Sequence, residues 1–161
     1  MDQKPEHMKS VEELHGIIEK EIIRQNAAWN NQAPLNLYQP VAYGMSAGGK
    51  RLRPLLVLMG YQLFDGKVEN AVPSALAIEI FHNFTLLHDD IMDKAEKRRG
   101  QQTVHIKFSE NAAILSGDAM SFLAYHFLLD SRTDKIRELL SLFTATALEV
   151  CEGQQMDMDF E

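Results

Sequence analysis

The segment from Pro73 to Gly100 constrains the fold of this chain more than any other. It is apolar over most of its length. Proline suits a first helical turn and glycine suits a C-terminal stop, so the segment predicts one long helix that ends in a basic turn. A helix that is apolar nearly all round lies in a core. No other segment alternates with period two over a useful length, so we expect an all-α protein around this helix.

Polar side chains interrupt this helix at helical spacings, which draws one polar line along an otherwise buried surface. A polar line on a core helix should face something polar that is also inside the protein, and a ligand cavity is the natural candidate. The residues of this line are Glu79, His82, Asn83, Asp89, Asp90 and Asp93.

Asp89 and Asp93 are four residues apart, so their carboxylates project from the same face about one turn apart. Like charges at this spacing destabilise a helix by about 0.2–0.5 kcal/mol, so a compensating partner is expected. Mg²⁺ takes one or two carboxylates and completes its shell with substrate phosphates. The pair is therefore a candidate Mg²⁺ site. The alternative is a solvated acidic helix end, neutralised by the cations that follow it: Lys94, Lys97, Arg98 and Arg99.

A basic loop, MSAGGKRLRP, covers residues 45–54. Two glycines break regular structure there, and Lys50, Arg51 and Arg53 follow before Pro54 begins the next helix. Cations beside flexible backbone amides are typical of phosphate binding, because arginine can grip a phosphate with two hydrogen bonds. The alternative is a solvated loop. The stretch from Gly44 to Lys50 matches a phosphate-binding loop of NTPases, but Arg51 stands where that motif needs Ser or Thr.

Hydrophobic periodicity predicts further helices on either side of the central one. They cover residues 11–30, 35–45, 54–64 and 111–129, and a last helix follows residue 131. Capping boxes are predicted at Ser10 with Glu13 and at Ser131 with Asp134. Gly117 should permit a close helix approach, and His126, on an apolar run, is predicted to be a core histidine.

The composition excludes several functional classes. The 161 residues suggest one domain, and a net charge of −7 argues against non-specific nucleic-acid binding. Cys151 is the only cysteine, which excludes a disulfide framework and fits a reducing, cytoplasmic setting. The sequence carries no evident signal peptide and no evident apolar run of membrane-spanning length, so no integral membrane segment is expected.

Four segments resemble motifs of the trans-isoprenyl diphosphate synthases (the polyprenyl synthetase family), in the family's order. They are GGKRLRP at 48–54, FHNFTLLHDDIMD at 81–93, RRG at 98–100 and ILSGD at 114–118. The resemblance implies the N-terminal part of a helical bundle around a central cavity. It also implies an Mg²⁺-dependent, homodimeric prenyltransferase that condenses an allylic prenyl diphosphate with isopentenyl diphosphate. The short-chain type, which makes farnesyl or geranylgeranyl diphosphate, is the best match.

The resemblance assigns the cations to two diphosphates. Lys50 and Arg53 match the loop residues that hold isopentenyl diphosphate, and His82 matches a third contact to it. Arg99 matches a further contact to this substrate. Arg98 matches the arginine that binds the allylic diphosphate.

The resemblance also implies the metal site and part of the cavity wall. Asp89 and Asp93 match the first aspartate-rich motif, which binds Mg²⁺ that bridges to the allylic diphosphate. Together with Arg98 they would carry the catalytic ionisation. Gln154 and Asp157 resemble a segment that borders the cavity.

Phe84 is the predicted determinant of product length. It lies five residues before Asp89, about 7.5 Å along the helix axis. A ring at this place could form the floor of the cavity, and in the family an aromatic residue there goes with short products. The alternative is that Phe84 is an ordinary core residue.

Family members are longer and carry a second aspartate-rich motif that this sequence lacks. We therefore expect the N-terminal half of a longer synthase, with little or no activity by itself. One alternative is a class I terpene cyclase, although the basic loop counts against it. Another is a non-catalytic, synthase-like regulatory or scaffolding subunit, although the intact aspartates and arginines argue against that.

Overall fold

The computed structural model describes residues 8–64 and 67–160, and within these ranges the fold is all-α, as predicted. A short 3₁₀ turn covers Val68–Ala71, and β1 (Lys97–Arg98) pairs with β2 (Gln101–Gln102) in a small hairpin. The helices are α1 Val11–Trp29, α2 Leu35–Ser46, α3 Leu52–Gln62, α4 Val72–Met92, α5 Val104–Lys107, α6 Glu110–Leu129 and α7 Ile136–Phe160.

Helix α4 is the central element, with Pro73 in its first turn. It packs most extensively on α6 and also contacts α1, α2 and α3. Leu76 and Ile80 of α4 lie in one core with Met120 and Leu128 of α6. This burial confirms that the segment predicted to organise the chain does so.

The prediction that this helix continues to Gly100 is wrong. Helix α4 ends at Met92, and Lys94 adopts a left-handed conformation with φ 51°. The following hairpin turns at Arg99 and Gly100, whose φ angles are 51° and 81°. A two-residue turn with positive φ at both positions matches the twist of the flanking strands. Gly100 therefore serves a hairpin and does not stop a helix.

The two predicted capping boxes have opposite outcomes. Ser10 Oγ accepts a hydrogen bond from Glu13 N at 3.2 Å, and Glu13 Oε2 accepts one from Ser10 N at 2.7 Å, so the first box forms. The second does not, because α7 begins only at Ile136. Ser131 instead shares a 2.6 Å hydrogen bond with Ser74, at the first turn of α4.

Helix α6 has two apolar faces. One packs against α4, and Gly117 lies there so close to His88 that an added Cβ would overlap the imidazole ring. This confirms the predicted close approach. The other face exposes Leu115, Phe122 and Leu129. Because both faces are apolar, α6 is the helix of the described residues that is long and apolar enough to cross a membrane, although buried core helices share this property.

Helix α7 is the least buried of the long helices. Phe143 is its buried residue, whereas Leu142, Leu148 and Met156 are exposed. The predicted core position of His126, near the end of α6, is wrong as well, because this residue is exposed and contacts Phe127 edge-on. Asp65 and Gly66 follow α3 and are residue types that predict a helix stop, but they lie outside the described residues.

Candidate functional site

The polar line of α4 divides into two groups with different surroundings. Glu79, Asn83 and Asp90 are buried, with 3%, 6% and 4% of their surface exposed. His82 and Asp89 are half-buried and line cavities. The buried group also borders cavities, as predicted, but its side chains bond to other protein groups there.

Glu79 and Asn83 belong to a buried network centred on Arg51. Glu79 Oε1 accepts from Arg51 Nη1 at 2.7 Å and from Asn83 Nδ2 at 3.2 Å. Arg51 itself is left-handed, with φ 48°, and caps the N-terminus of α3. This conformation costs an ordinary residue about 1–2 kcal/mol, so the surrounding contacts must compensate for it. Arg51 is thus not a solvated loop cation.

A basic cavity of about 290 Å³ lies between the loop and α4. It brings together the four cationic or polar residues predicted to hold one diphosphate. Glu79 also borders it. Its lining residues are Gly49, Lys50, Arg51, Leu52, Arg53, Glu79, His82 and Arg99.

Arg53 and His82 are in direct contact, with 3.2 Å between Arg53 Nη1 and His82 Nε2. Arginine can only donate, so Nε2 of a neutral ring is the acceptor. Burial lowers the pKa of His82, and the nearby Arg53 charge lowers it further. A neutral His82 with its proton on Nδ1 follows, which leaves the arginine as the fixed charge of this pair.

The basic loop and the hairpin are joined at Arg99. Its Nη1 donates a hydrogen bond to the carbonyl oxygen of Gly48. Gly49 has φ 134°, and a Cβ at this position would collide with the Arg99 guanidinium. Glycine is therefore favoured by the backbone conformation, and a larger residue would also force the Arg99 guanidinium to move. The contact holds Arg99, from a distant part of the sequence, against the loop that carries Lys50.

Asp89 and Asp93 lie together at the C-terminal end of α4, where Asp93 is the capping residue. Burial raises the pKa of Asp89, and the Asp93 charge raises it further. Within residues 8–64 and 67–160, neither carboxylate belongs to an ion pair, and no cluster of three or more metal-binding side chains forms. Two neighbouring carboxylates that lack a cationic partner fit a cation such as Mg²⁺ that completes its shell with phosphate oxygens.

Asp90, the middle aspartate, has a different role. Arg98 Nε donates to both of its carboxylate oxygens, at 2.9 and 3.0 Å. The acidic helix end is thus partly neutralised, but in the described chain only through this one pair. Arg98, predicted to bind the allylic diphosphate, is held by Asp90 and remains about one third exposed.

A second cavity, of about 200 Å³, adjoins Asp89 between α4 and α7. Phe84 and His88 line it from α4, with their rings 4.8 Å apart. Gln154 lines it from α7, whereas Asp157 is exposed to solvent. Phe84 and Asp89 therefore line the same cavity.

A larger and mostly apolar cavity of about 410 Å³ continues along α4 and α7 from His82 toward Leu128. Thr85 and Val150 border both this cavity and the one beside Asp89. An apolar molecule attached at the polar end of α4 could therefore extend along the helix in this direction.

Sequence reasoning missed the roles of Arg51, Glu79 and His88. The loop sequence places Arg51 with the phosphate-binding cations, because loop cations are usually exposed. A signal existed: an acidic residue in the middle of an apolar helix needs a buried partner. His88 gave no comparable signal, because its contact with Gly117 depends on how α4 and α6 pack.

The helical fold, the basic cavity and the neighbouring carboxylates of Asp89 and Asp93 define an all-α protein that carries a cationic cavity and an acidic site on one helix. Residues 34–161 match the model of the polyprenyl synthetase family. Because this match covers most of the chain, the chain belongs to the polyprenyl synthetase family.

Individual relatives agree with this assignment. The chain is 42% identical over 130 residues to a geranylgeranyl diphosphate synthase of Methanosarcina mazei, covering 80% of the chain and 40% of that protein. It is 44% identical over 128 residues to a short chain isoprenyl diphosphate synthase of Methanocaldococcus jannaschii, covering 78% and 38%. The crystal structure of a geranylgeranyl pyrophosphate synthase superposes with a TM-score of 0.88 at 47% identity, covering 95% of the chain and 46% of that structure. The chain thus spans about 40% of the length of these curated relatives.

Proposed function

We propose that this chain supplies part of the active site of a short-chain prenyltransferase. We call this part the half-site: the basic cavity together with Asp89 and Asp93. The enzyme would condense an allylic prenyl diphosphate with isopentenyl diphosphate. The observation that carries the proposal is the position of two different sites on one helix: His82 in the basic cavity and Asp89 at the acidic end. They are seven residues apart, about 10 Å along the axis. Two diphosphate groups could therefore bind side by side, and the names of the relatives agree with such substrates.

The residues divide the chemistry between them. Lys50, Arg53, His82 and Arg99 would bind isopentenyl diphosphate, and Asp89 and Asp93 would hold Mg²⁺ beside the allylic diphosphate. The bound metal would stabilise the negative charge that develops on the leaving diphosphate. Loss of that group leaves an allylic cation, the isopentenyl double bond attacks it, and a proton is then lost. Arg98 would stabilise the departing diphosphate as well.

The apolar cavities would keep the cation away from water and accept the growing tail. Phe84 borders the space beside Asp89, so we propose that it limits product length to farnesyl or geranylgeranyl diphosphate. A terpene cyclase would not need the basic cavity. Dependence of turnover on isopentenyl diphosphate distinguishes the two functions.

We also propose that the chain forms a homodimer through the outer face of α6. Leu115, Phe122 and Leu129 are seven residues apart, so they lie on one side of the helix, and each is at least 60% exposed. Large exposed apolar side chains in a row along one helix favour an interface, and the exposed Asp118 and His126 lie between them. A cytoplasmic location remains a prediction from the cysteine content.

Calorimetric titration with a non-hydrolysable allylic diphosphate analogue tests the half-site. We expect binding that requires Mg²⁺ and that is lost in Asp89→Ala. Asp130→Ala, which removes an exposed aspartate at the end of α6, is the matched control and should bind as the wild type does. Metal-independent binding, or equal binding by Asp89→Ala, would contradict the assigned metal site. Absence of binding by a chain with a helical circular dichroism spectrum would contradict the half-site itself.

A further inference from the structure

Arg51 differs from the other cations of the basic loop in where its side chain lies. Lys50 is exposed and lines the basic cavity, whereas only 4% of the Arg51 surface is exposed. Lys50 and Arg51 are both cations of one loop, but their different exposure indicates different roles. A buried guanidinium beside a diphosphate site must either bind the ligand or hold the groups that do.

The contacts of Arg51 favour the second task. Its Nε donates to Glu19 Oε1 on α1 at 2.8 Å, and its Nη1 donates to Glu79 Oε1 on α4 at 2.7 Å. Its Nη2 donates to the carbonyl oxygen of Met45 on α2 at 2.9 Å. Each guanidinium nitrogen thus donates a hydrogen bond to a different helix. Few donors remain for a ligand, because arginine offers five N–H groups in total.

The backbone of Arg51 adds a fourth helix to this junction. Its carbonyl oxygen accepts a hydrogen bond from Leu55 N at 3.1 Å, which opens α3. Its left-handed φ of 48° is uncommon for a residue with a side chain. Such a conformation persists where the surroundings over-determine it. The side-chain contacts therefore fix the backbone between Lys50 and Arg53.

We propose that Arg51 is a positioning residue for diphosphate binding. Its hydrogen bonds to Glu19, Glu79 and Met45 fix the backbone of the loop. Lys50 and Arg53 are thereby held so that both contact one anion. This role rests on the proposed function, since it assumes that the basic cavity binds the diphosphate of isopentenyl diphosphate.

Glu79 makes the role testable, because two explanations predict opposite changes in anion affinity when its charge is removed. Glu79 borders the cavity and carries a negative charge, so by charge alone its removal should strengthen anion binding. If Glu79 acts by holding Arg51, its removal should weaken anion binding although the site becomes more positive. A purely structural role would lower thermal stability and leave the affinity of the folded protein unchanged or stronger.

The test is calorimetric titration with inorganic pyrophosphate, without metal, well below the melting temperature of each variant. We expect Glu79→Gln to bind at least about tenfold more weakly than the wild type, as the loss of a charge-assisted hydrogen bond predicts. Glu19→Gln should also bind more weakly. Glu21→Gln breaks an Arg–Glu pair of the same kind on the exposed part of α1, so it is the matched control and should keep the wild-type affinity.

The results separate the role of Arg51 from the existence of the diphosphate site. Unchanged or tighter binding by Glu79→Gln, with binding lost in Lys50→Ala, would overturn the role of Arg51 and leave the diphosphate site intact. Failure of the wild type to bind, or equal binding by Lys50→Ala, would overturn the diphosphate site and this role with it. If Glu79→Gln does not fold, Glu19→Gln decides, because its partly exposed position makes misfolding less of a concern.

Discussion

Arg98 and Asp90 form a two-pronged ion pair across the turn that ends α4, with Nε of the arginine 2.9 and 3.0 Å from the two carboxylate oxygens. The resemblance to prenyl synthases implies that Arg98 binds the allylic diphosphate. Asp90 would then fix an arginine beside the substrate, while Asp89 and Asp93 remain available for a metal. One acidic motif thus contains two metal-binding candidates and one structural carboxylate.

Replacement of Asp90 by asparagine should destabilise the protein. Asp90→Asn keeps one acceptor oxygen but removes the negative charge that pairs with Arg98, and the arginine is only partly exposed. We expect the free energy of unfolding to fall by about 1–3 kcal/mol, less than for a fully buried charge. Urea denaturation measures this. Asp93→Asn is the control, since Asp93 is exposed and unpaired within the described chain, and it should change stability by less than about 0.5 kcal/mol.

The packing of α4 on α6 predicts opposite effects for two glycine substitutions. Gly117→Ala places a methyl group against the His88 ring, so we expect a loss of about 1–3 kcal/mol from overpacking. Gly16→Ala in α1 meets no atom within 4 Å and should stabilise by about 0.5–1 kcal/mol through helix propensity. Thermal or urea unfolding measures both. Equal effects would show that α4 and α6 are not so closely packed.

The sequence predicts this fold well where local chemistry determines it. The capping box at Ser10 and the helical start at Pro73 depend on neighbouring residues, and both are confirmed. The extension of α4 to Gly100 fails because a two-residue hairpin turn also needs positive φ and also uses glycine. A local pattern cannot distinguish these two uses.

The candidate site is predictable in part for the same reason. Residues that share a motif, such as Asp89 and Asp93, lie together because one helix carries them. The pairing of Arg51 with Glu79, 28 residues later, depends on how helices meet, as does the contact between Arg99 and the loop at Gly48. Such long-range partners need the tertiary structure.

His82 should make stability depend on pH. Burial and Arg53 lower its pKa in the folded state from an ordinary value of 6.5, so the unfolded chain binds the proton more tightly. Stability is therefore greatest above pH 6.5 and falls as the pH drops below it, through the folded pKa. Replacing His82 by asparagine should make this loss shallower. Urea denaturation from neutral to mildly acidic pH measures it, with His126→Asn, an exposed histidine, as the control. A wild-type loss no steeper than that of His82→Asn would contradict this prediction.

Substitution of Phe84 should change the preferred length of the prenyl tail. Phe84→Ala opens the cavity beside Asp89, so a geranylgeranyl diphosphate analogue should gain affinity relative to a farnesyl analogue. We expect the ratio of the two affinities, geranylgeranyl to farnesyl analogue, to rise at least about tenfold, since each additional buried CH₂ contributes about 0.8 kcal/mol. Calorimetry measures the ratio, and longer products are expected wherever the half-site turns over. Phe122→Ala, on the outer face of α6, is the control. An unchanged ratio and unchanged products would assign Phe84 to the ordinary core.

A charge on the outer face of α6 should disrupt the proposed dimer. Phe122 is 74% exposed, midway between Leu115 and Leu129, and Phe122→Glu would place an unpaired carboxylate at the centre of the interface. Central aromatic residues contribute about 2 kcal/mol or more, so the dissociation constant should rise by about 30-fold or more. Sedimentation equilibrium measures the constant. Phe160→Glu, on the exposed end of α7, is the control and should dimerise as the wild type does. A monomeric wild type, or a dimer that tolerates Phe122→Glu, would assign this apolar face to another partner.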